Sequence, residues 1–239
     1  MEKEIDYSKY FLRVQESYKC ALGKYLSEIE FDFILKHIKS IGRVDIKILD
    51  VGGGDGRHAF ELVKLGYQVD ILEFDDPPIN ALKEKRYPFK IVKGDGNKLD
   101  QYFKNDEYDV VLAIQLEACT DKRHFISFSS VVKAILKKNG LFIFTGTNSF
   151  SIFGLLRILS PRSRYPMQFY KVYDRTFFYI LKETKKKFQV VDIKGYRYAP
   201  VKRFSNNKSI ISFFSFLERV LFLNKLPLIA PWILFSVRK

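Results

Sequence analysis

Residues Ile48–Gly66 read ILDVGGGDGRHAFELVKLG. An apolar run leads into four glycines between positions 52 and 56, and an amphipathic run follows that closes on Gly66. This is the pattern of a strand, a tight turn and a helix. Glycine lets the backbone take positive φ and approach a ligand closely. The helix N-terminus behind the turn carries partial positive charge and favours an anion. Yet Asp50 and Asp55 place two carboxylates in the same turn. The ligand must therefore tolerate glycine backbone and negative side chains together.

Outward from this turn, the strand–helix rhythm repeats. QVDILEF, FKIVKG, YDVVLAI and LFIFTGT read as further strands, and PPINALKEKR and DKRHFISFSSVVKAILKKNG as helices. Alternation of this kind predicts a parallel sheet covered on both faces. Upstream, residues 6–41 read as helical, with Phe31, Ile34, Leu35, Ile38 and Ile41 at helical spacing and Gly42 as the stop. Downstream of residue 148 the rhythm breaks. A segment rich in aromatics and arginine precedes a helix (DRTFFYILKETKKK), a strand (FQVVDIKGYR), an apolar helix (SIISFFSFLERVLFL) and a last strand (PWILFSVRK). The final two strands fit an antiparallel pair at the sheet edge.

The expected fold is thus α/β: a Rossmann-like, doubly wound, seven-stranded sheet, mostly parallel with an antiparallel C-terminal strand pair. The 239 residues suit a single domain. We divide it into an N-terminal helical cap (1–42), a cofactor-binding core (43–147), an acceptor lid and helix (148–187), and the C-terminal strand pair with its apolar helix (188–239).

No charge-free apolar run reaches the ~20 residues that span a bilayer, and the charged, aromatic start is unlike a signal peptide. Cys20 and Cys119 are the only cysteines, and no Cys/His cluster has zinc spacing. We expect a cytoplasmic protein without a structural metal. The formal net charge of +14 favours anionic partners, against the plainer reading of a solvated lysine-rich surface.

Two cofactors compete for the turn. Gly54-Asp55-Gly56-Arg57-His58-Ala59 matches the dinucleotide pattern G-x-G-x-x-G/A, but Asp55 would then face a pyrophosphate with Asp50 close by. Like charges at a few ångströms cost on the order of 1–4 kcal/mol. S-adenosylmethionine carries no phosphate. Its ammonium welcomes a carboxylate at the strand end, and its own carboxylate suits the helix N-terminus.

Asp50-Val51-Gly52-Gly53-Gly54-Asp55-Gly56 resembles the D-x-G-x-G-x-G motif of class I S-adenosylmethionine-dependent methyltransferases. ILEFD, KGDGNKL, YDVVLAIQLEACTD and VVKAILKKNGLFIFTGT resemble that family's later segments in the same order. The resemblance covers about residues 46–145 well and 188–239 loosely. It implies cofactor-binding roles for Asp50, Gly52 and Gly54, for Glu73 on the ribose hydroxyls, and for Asp95 on the adenine amino group. Where the family commonly has Leu-Glu-His after its fourth strand, this chain has Leu116-Glu117-Ala118, and its usual Pro-Gly-Gly turn is Lys138-Asn139-Gly140.

The resemblance assigns no catalytic residue, and methyl transfer needs a base only if the acceptor must lose a proton early. Glu117 and His124 are the candidates. His58 reads as a packing residue, and Tyr18 and Tyr25 as core or surface tyrosines on a helix that in this family often covers the cofactor. No Asn/Asp-Pro-Pro-Tyr/Phe motif and no Pro-Cys follows the fourth strand, so a nucleic-acid acceptor ranks low despite the charge. The segment 148–172, with Phe150, Phe153, Tyr165, Phe169, Tyr170, Arg157, Arg162 and Arg164, suits an anionic acceptor with an apolar or sugar ring. We expect methyl transfer to a small-molecule, glycan or lipid-linked acceptor, at oxygen, mainly by proximity and orientation. The alternatives are an RNA methyltransferase and a non-catalytic, cofactor-binding interaction subunit. The apolar helix near residues 209–223 is expected either to pack against the sheet edge, the favoured reading, or to make peripheral contact with a membrane.

Overall fold

The computed structural model describes residues 7–86, 88–116, 119, 122–148, 151 and 176–239. Glu117 and all the lid residues named above lie outside them.

Seven strands form one sheet in the order β3-β2-β1-β4-β5-β7-β6. They are β1 (Lys47–Val51), β2 (Gln68–Glu73), β3 (Lys90–Lys93), β4 (Tyr108–Ala113), β5 (Leu136–Thr147), β6 (Gln189–Tyr196) and β7 (Trp232–Arg238). The first five pair parallel with one another, and β7 runs antiparallel to both β5 and β6. The expected topology is present, including the antiparallel C-terminal pair.

The strands of the centre are apolar on both faces because helices cover both. In β5, Leu141 and Ile143 join one core and Phe142 and Phe144 the other. The first core takes in α2 (Ala21–Lys39), α3 (Arg57–Lys64), α4 (Asp76–Glu84) and α8 (Lys208–Val220), through side chains such as Ile34, Ile38, Leu62, Leu82 and Ile211. The second takes in α5 (Leu99–Tyr102), α6 (Lys122–Ile135) and α7 (Phe177–Lys185), through Leu99, Phe125, Phe128 and Ile180. Stacked rings run through the second core, with Phe142 and Phe144 centroids 4.6 Å apart and Phe144 and Phe235 4.9 Å apart.

Three local expectations change. The N-terminal helical stretch is two helices, α1 (Tyr7–Lys19) and α2. They break at Cys20, which is extended (φ −74°, ψ 164°) and caps α2 through its Sγ, accepting from the Gly23 N–H. Apolar spacing alone does not register this break, because it continues on both sides. Helix α6 ends at Ile135 rather than at Gly140. The segment Lys137–Gly140 is instead a bulge inside β5, where the pairing with β4 jumps from Tyr108–Leu136 to Val110–Leu141 and Asn139 takes φ 64°. Finally, α8 is not buried against the sheet edge: only Ile211 and Glu218 of its side chains are buried.

The strand order reverses between β1 and β4, the two central parallel neighbours. Ligands of open α/β sheets bind outside the carboxyl ends of the strands at such a reversal. The glycine turn after β1 and residues Gln115 and Leu116 after β4 meet there.

Candidate cofactor and acceptor site

The turn holds its shape through glycine. Gly52 has φ 67°, and a Cβ there would lie 2.5 Å from Leu116 Cδ1, so the β1 turn and the β4 turn pack backbone against side chain. Gly54 has φ 58°, and a Cβ there would meet nothing within 4 Å. Its N–H donates to Glu73 Oε2 at 2.9 Å. A backbone segment thus faces open space while anchored to the acid at the end of β2.

The carboxylates predicted from sequence sit around this segment in three different states. Asp50 is buried and makes no hydrogen bond among the described residues. The Gly53 Cα comes so near that a Cβ there would lie 3.0 Å from Asp50 Oδ2. Burial, reinforced by the neighbouring Glu73 and Asp55 charges and opposed by Arg57, pushes the Asp50 carboxyl up to about 7. Glu73 is 8% exposed. It accepts from the Gly54 and Phe74 N–H groups at 2.9 and 2.8 Å, and burial still raises it. A carboxylate has about four acceptor sites, so it keeps capacity for hydroxyl donors. Asp95 is only partly buried and caps the short 3₁₀ turn Gly96–Lys98, its Oδ1 accepting from the Asn97 N–H at 2.9 Å and Asn97 Nδ2 at 3.1 Å. The Asx turn is therefore real, and it leaves Oδ2 without a bond among the described residues.

A second polar cluster adjoins the turn, and sequence reading missed it. Glu30 of α2 is fully buried. Its Oε2 accepts from Arg57 Nη2 at 2.8 Å and faces His58 Nε2 at 3.3 Å, while Oε1 accepts from Gln115 Nε2 at 2.5 Å and from the Tyr196 hydroxyl at 2.7 Å. Four donors saturate the carboxylate. Burial alone would raise it, but Arg57, His58 and Gln115 together outweigh burial and hold it well below the usual range. The Arg57 guanidinium also lies over the Tyr18 ring, 3.6 Å from its centroid, and the Tyr18 hydroxyl donates to Gln115 Oε1. One carboxylate so ties α2 to the start of α3, the turn after β4 and the end of β6, and Tyr18 extends the tie to α1. Gln115, at φ 57°, is held by it on the switch-point edge.

His58 is a packing residue as expected: it is buried, stacked parallel to Phe31, and kept neutral chiefly by burial. His124 is exposed on the first turn of α6. An open cleft of about 550 Å³ lies between the N-terminal helices and the turn, with Tyr18, Lys24, Ser27, Asp55, Arg57 and Lys85 among its walls. It touches neither Asp50, Glu73 nor Asp95, so it flanks the strand edge rather than lying over it.

Residues 48–140 match the family model described as a methyltransferase domain. Over that stretch, about two fifths of the chain, the protein is similar to methyltransferase domains. The chain resembles solved structures over nearly its whole length. A SAM-dependent methyltransferase from Archaeoglobus fulgidus superposes with a TM-score of 0.61 at 17% identity, over 96% of this chain and 100% of that one. Magnesium protoporphyrin IX methyltransferase from Synechocystis PCC 6803, solved with bound SAH, gives 0.61 at 11% identity over 100% and 90%. A SAM-dependent methyltransferase from Methanosarcina mazei gives 0.58 at 14% over 82% and 93%. At such identities the likeness establishes the fold. No curated protein matches the chain in sequence. The residues fit such a cofactor: Asp50 is buried with no hydrogen bond among the described residues, which suits an ammonium, and Gly54 is open on one side.

Proposed function

We propose that this methyltransferase passes the methyl group to a small-molecule, glycan or lipid-linked acceptor, at oxygen, chiefly by holding the reactants in line. The cofactor supplies an activated methyl on a cationic sulfur. The chain supplies the rest. Asp50 takes the ammonium, the Gly52–Gly54 backbone lies along the ligand, Glu73 accepts from the ribose hydroxyls, and Asp95 Oδ2 accepts from the adenine amino group.

The observation that carries this reading is Asp50. A buried carboxyl with no hydrogen bond among the described residues, pushed up to about 7, is costly to the free protein and is relieved by a cation. An inorganic phosphate group at that place would raise the cost. Glu73 adds to the argument, since it is already fixed by two backbone N–H groups and needs no rearrangement to receive hydroxyls. On the acceptor side, Gln115 is the described group held at the end of β4, gripped by Glu30 and Tyr18. It is neutral and positions rather than deprotonates, in keeping with a reaction driven by proximity.

Calorimetry with S-adenosylmethionine, its demethylated product and NAD tests the cofactor roles. Binding of the first two in the micromolar range and none of NAD is expected; NAD binding alone would refute it. A transfer screen with labelled cofactor over glycan, lipid, quinone and RNA acceptors tests the acceptor class. Transfer to RNA alone would overturn it.

A further inference from the structure

The connection from β6 to β7, residues 197–231, leaves and re-enters the sheet at the edge that carries the cofactor turn. Tyr196 and Thr147 both pair with Trp232 in register, and Thr147 is the carboxyl end of β5. Both ends of the connection therefore lie at the carboxyl edge of the sheet, where our proposal puts the acceptor.

That surface is apolar and cationic at once. Helix α8 turns Ile211 and Glu218 inward. Its Ile210, Phe213, Phe216 and Val220 share an arc of about 120° at helical spacing, and all four are exposed, Phe213 by 56% and Phe216 by 54%. The chain beyond α8 extends the stripe with Leu221, Phe222, Leu226 and Leu228, all exposed. Phe222 sits at φ 51°, a left-handed conformation that a bulky side chain adopts at a cost, and its ring is 60% exposed. A single apolar side chain on a surface is ordinary, but eight exposed ones between positions 210 and 228 mark an interaction site.

The charge around the stripe says what it fits. Residues 197–231 hold six cations, Arg197, Lys202, Arg203, Lys208, Arg219 and Lys225, against one acid, Glu218. That acid is buried and bonded, accepting from the Tyr25 hydroxyl at 2.7 Å and the Tyr198 N–H at 3.1 Å. The surface therefore presents no exposed carboxylate of its own. Lys208 and Arg219 lie along one margin of the apolar arc, and Lys225 stands 5.1 Å from the centre of the Phe222 ring. A second copy pairing through the same face would set like charges against like. An anionic bilayer answers both features: phosphate groups meet the cations while the phenylalanines enter the acyl boundary.

We infer that α8 and the turn after it dock this methyltransferase on an anionic lipid bilayer, so that the acceptor is reached from the membrane side. The inference rests on the function proposed above and narrows its acceptor to the lipid-linked class.

Co-sedimentation of the full chain tests it. Vesicles of phosphatidylglycerol and phosphatidylcholine in equal parts are compared with phosphatidylcholine alone, at low salt and at about 0.5 M salt, where exposed charges are screened. Binding to the anionic vesicles is expected at low salt and in part at high salt, with at least a tenfold loss in Phe213→Ser/Phe216→Ser. Absence of binding at low salt overturns the inference. So does binding that is wholly lost at high salt and unchanged in the variant, which is plain electrostatics, or a self-associated protein that ignores vesicles. Should the double variant fail to fold, Phe216→Trp serves instead. Quenching of its emission by brominated lipid is expected, and no quenching beyond that of wild type contradicts docking. Calorimetric binding of the demethylated cofactor, measured without lipid, reports on the underlying function separately.

Discussion

Two carboxylates stand at the same edge of the sheet and have opposite fates. Glu30 is fully buried, receives four donors and is held well below the usual carboxylate range. Asp50 is equally enclosed, receives no hydrogen bond among the described residues and is pushed up to about 7. The first is completed by the fold, and the second, in our proposal, by a ligand. A buried charge is tolerated only when paired, so the one left without a hydrogen bond among the described residues is where our proposal puts the cofactor's cation. Glu30 in turn ties α2 to the start of α3, the turn after β4 and the end of β6, around the glycine turn.

The largest expected effect breaks the finished partner. Glu30→Ala strands Arg57 and Gln115 in the interior and should cost about 3–5 kcal/mol of stability, read by chemical denaturation. A loss below about 1 kcal/mol would show the cluster to be ornamental. Glu30→Gln, which keeps the shape and some of the bonds, should cost less.

Asp50→Asn should do the reverse. Removing a desolvated charge leaves stability at neutral pH equal or higher, yet weakens binding of the demethylated cofactor by about 1.5–3 kcal/mol, the scale of a hydrogen bond to a charged group. Equal losses in stability and binding would make Asp50 structural like Glu30. Glu73→Ala should weaken binding by a similar amount. Asp95→Ala should weaken it by only about 0.5–1.5 kcal/mol, because that side chain is partly exposed and already caps its own turn.

The contrast also has a pH signature. The folded Asp50 holds its proton to about 7, above the ordinary value of 3.8. Between those limits the native state binds more protons than the unfolded one, so Asp50 makes stability fall as pH rises through the window. Denaturation of the free protein from pH 5 to 7.5 should show this component, and Asp50→Asn should remove it.

What the sequence made legible follows the same division. The strands, the glycine turn and the Asp95 cap are local, and the apolar runs and turn residues carry that information directly; Asp50 and Glu73 are singled out by their places at strand ends, though Glu73 meets the Gly54 N–H only across 19 residues. The Glu30 cluster is not local. Its partners Arg57, Gln115 and Tyr196 come from 27, 85 and 166 residues away, and no spacing rule joins them. One signal was present. Glu30 and His37 fall on the apolar face of α2 with Phe33, Ile34 and Ile38, and an acid on a buried stripe must have partners elsewhere. The exposed stripe of α8 was misread as core for a related reason. Hydrophobicity says that a surface seeks cover, and only the fold shows that Ile211 and Glu218 face inward while the phenylalanines do not.

The central claim is that Asp50 awaits the cofactor's ammonium with its carboxyl poised near neutrality. Calorimetry of cofactor binding near pH 6.5, in buffers of different ionisation enthalpy, tests it most directly. A cation that pairs with Asp50 must lower its pKa, so binding should release a proton into the buffer. Affinity should also fall by up to about tenfold per pH unit below 7, and both effects should vanish in Asp50→Asn. Cofactor binding without proton release, with the same pH dependence in Asp50→Asn as in the native chain, would contradict the account.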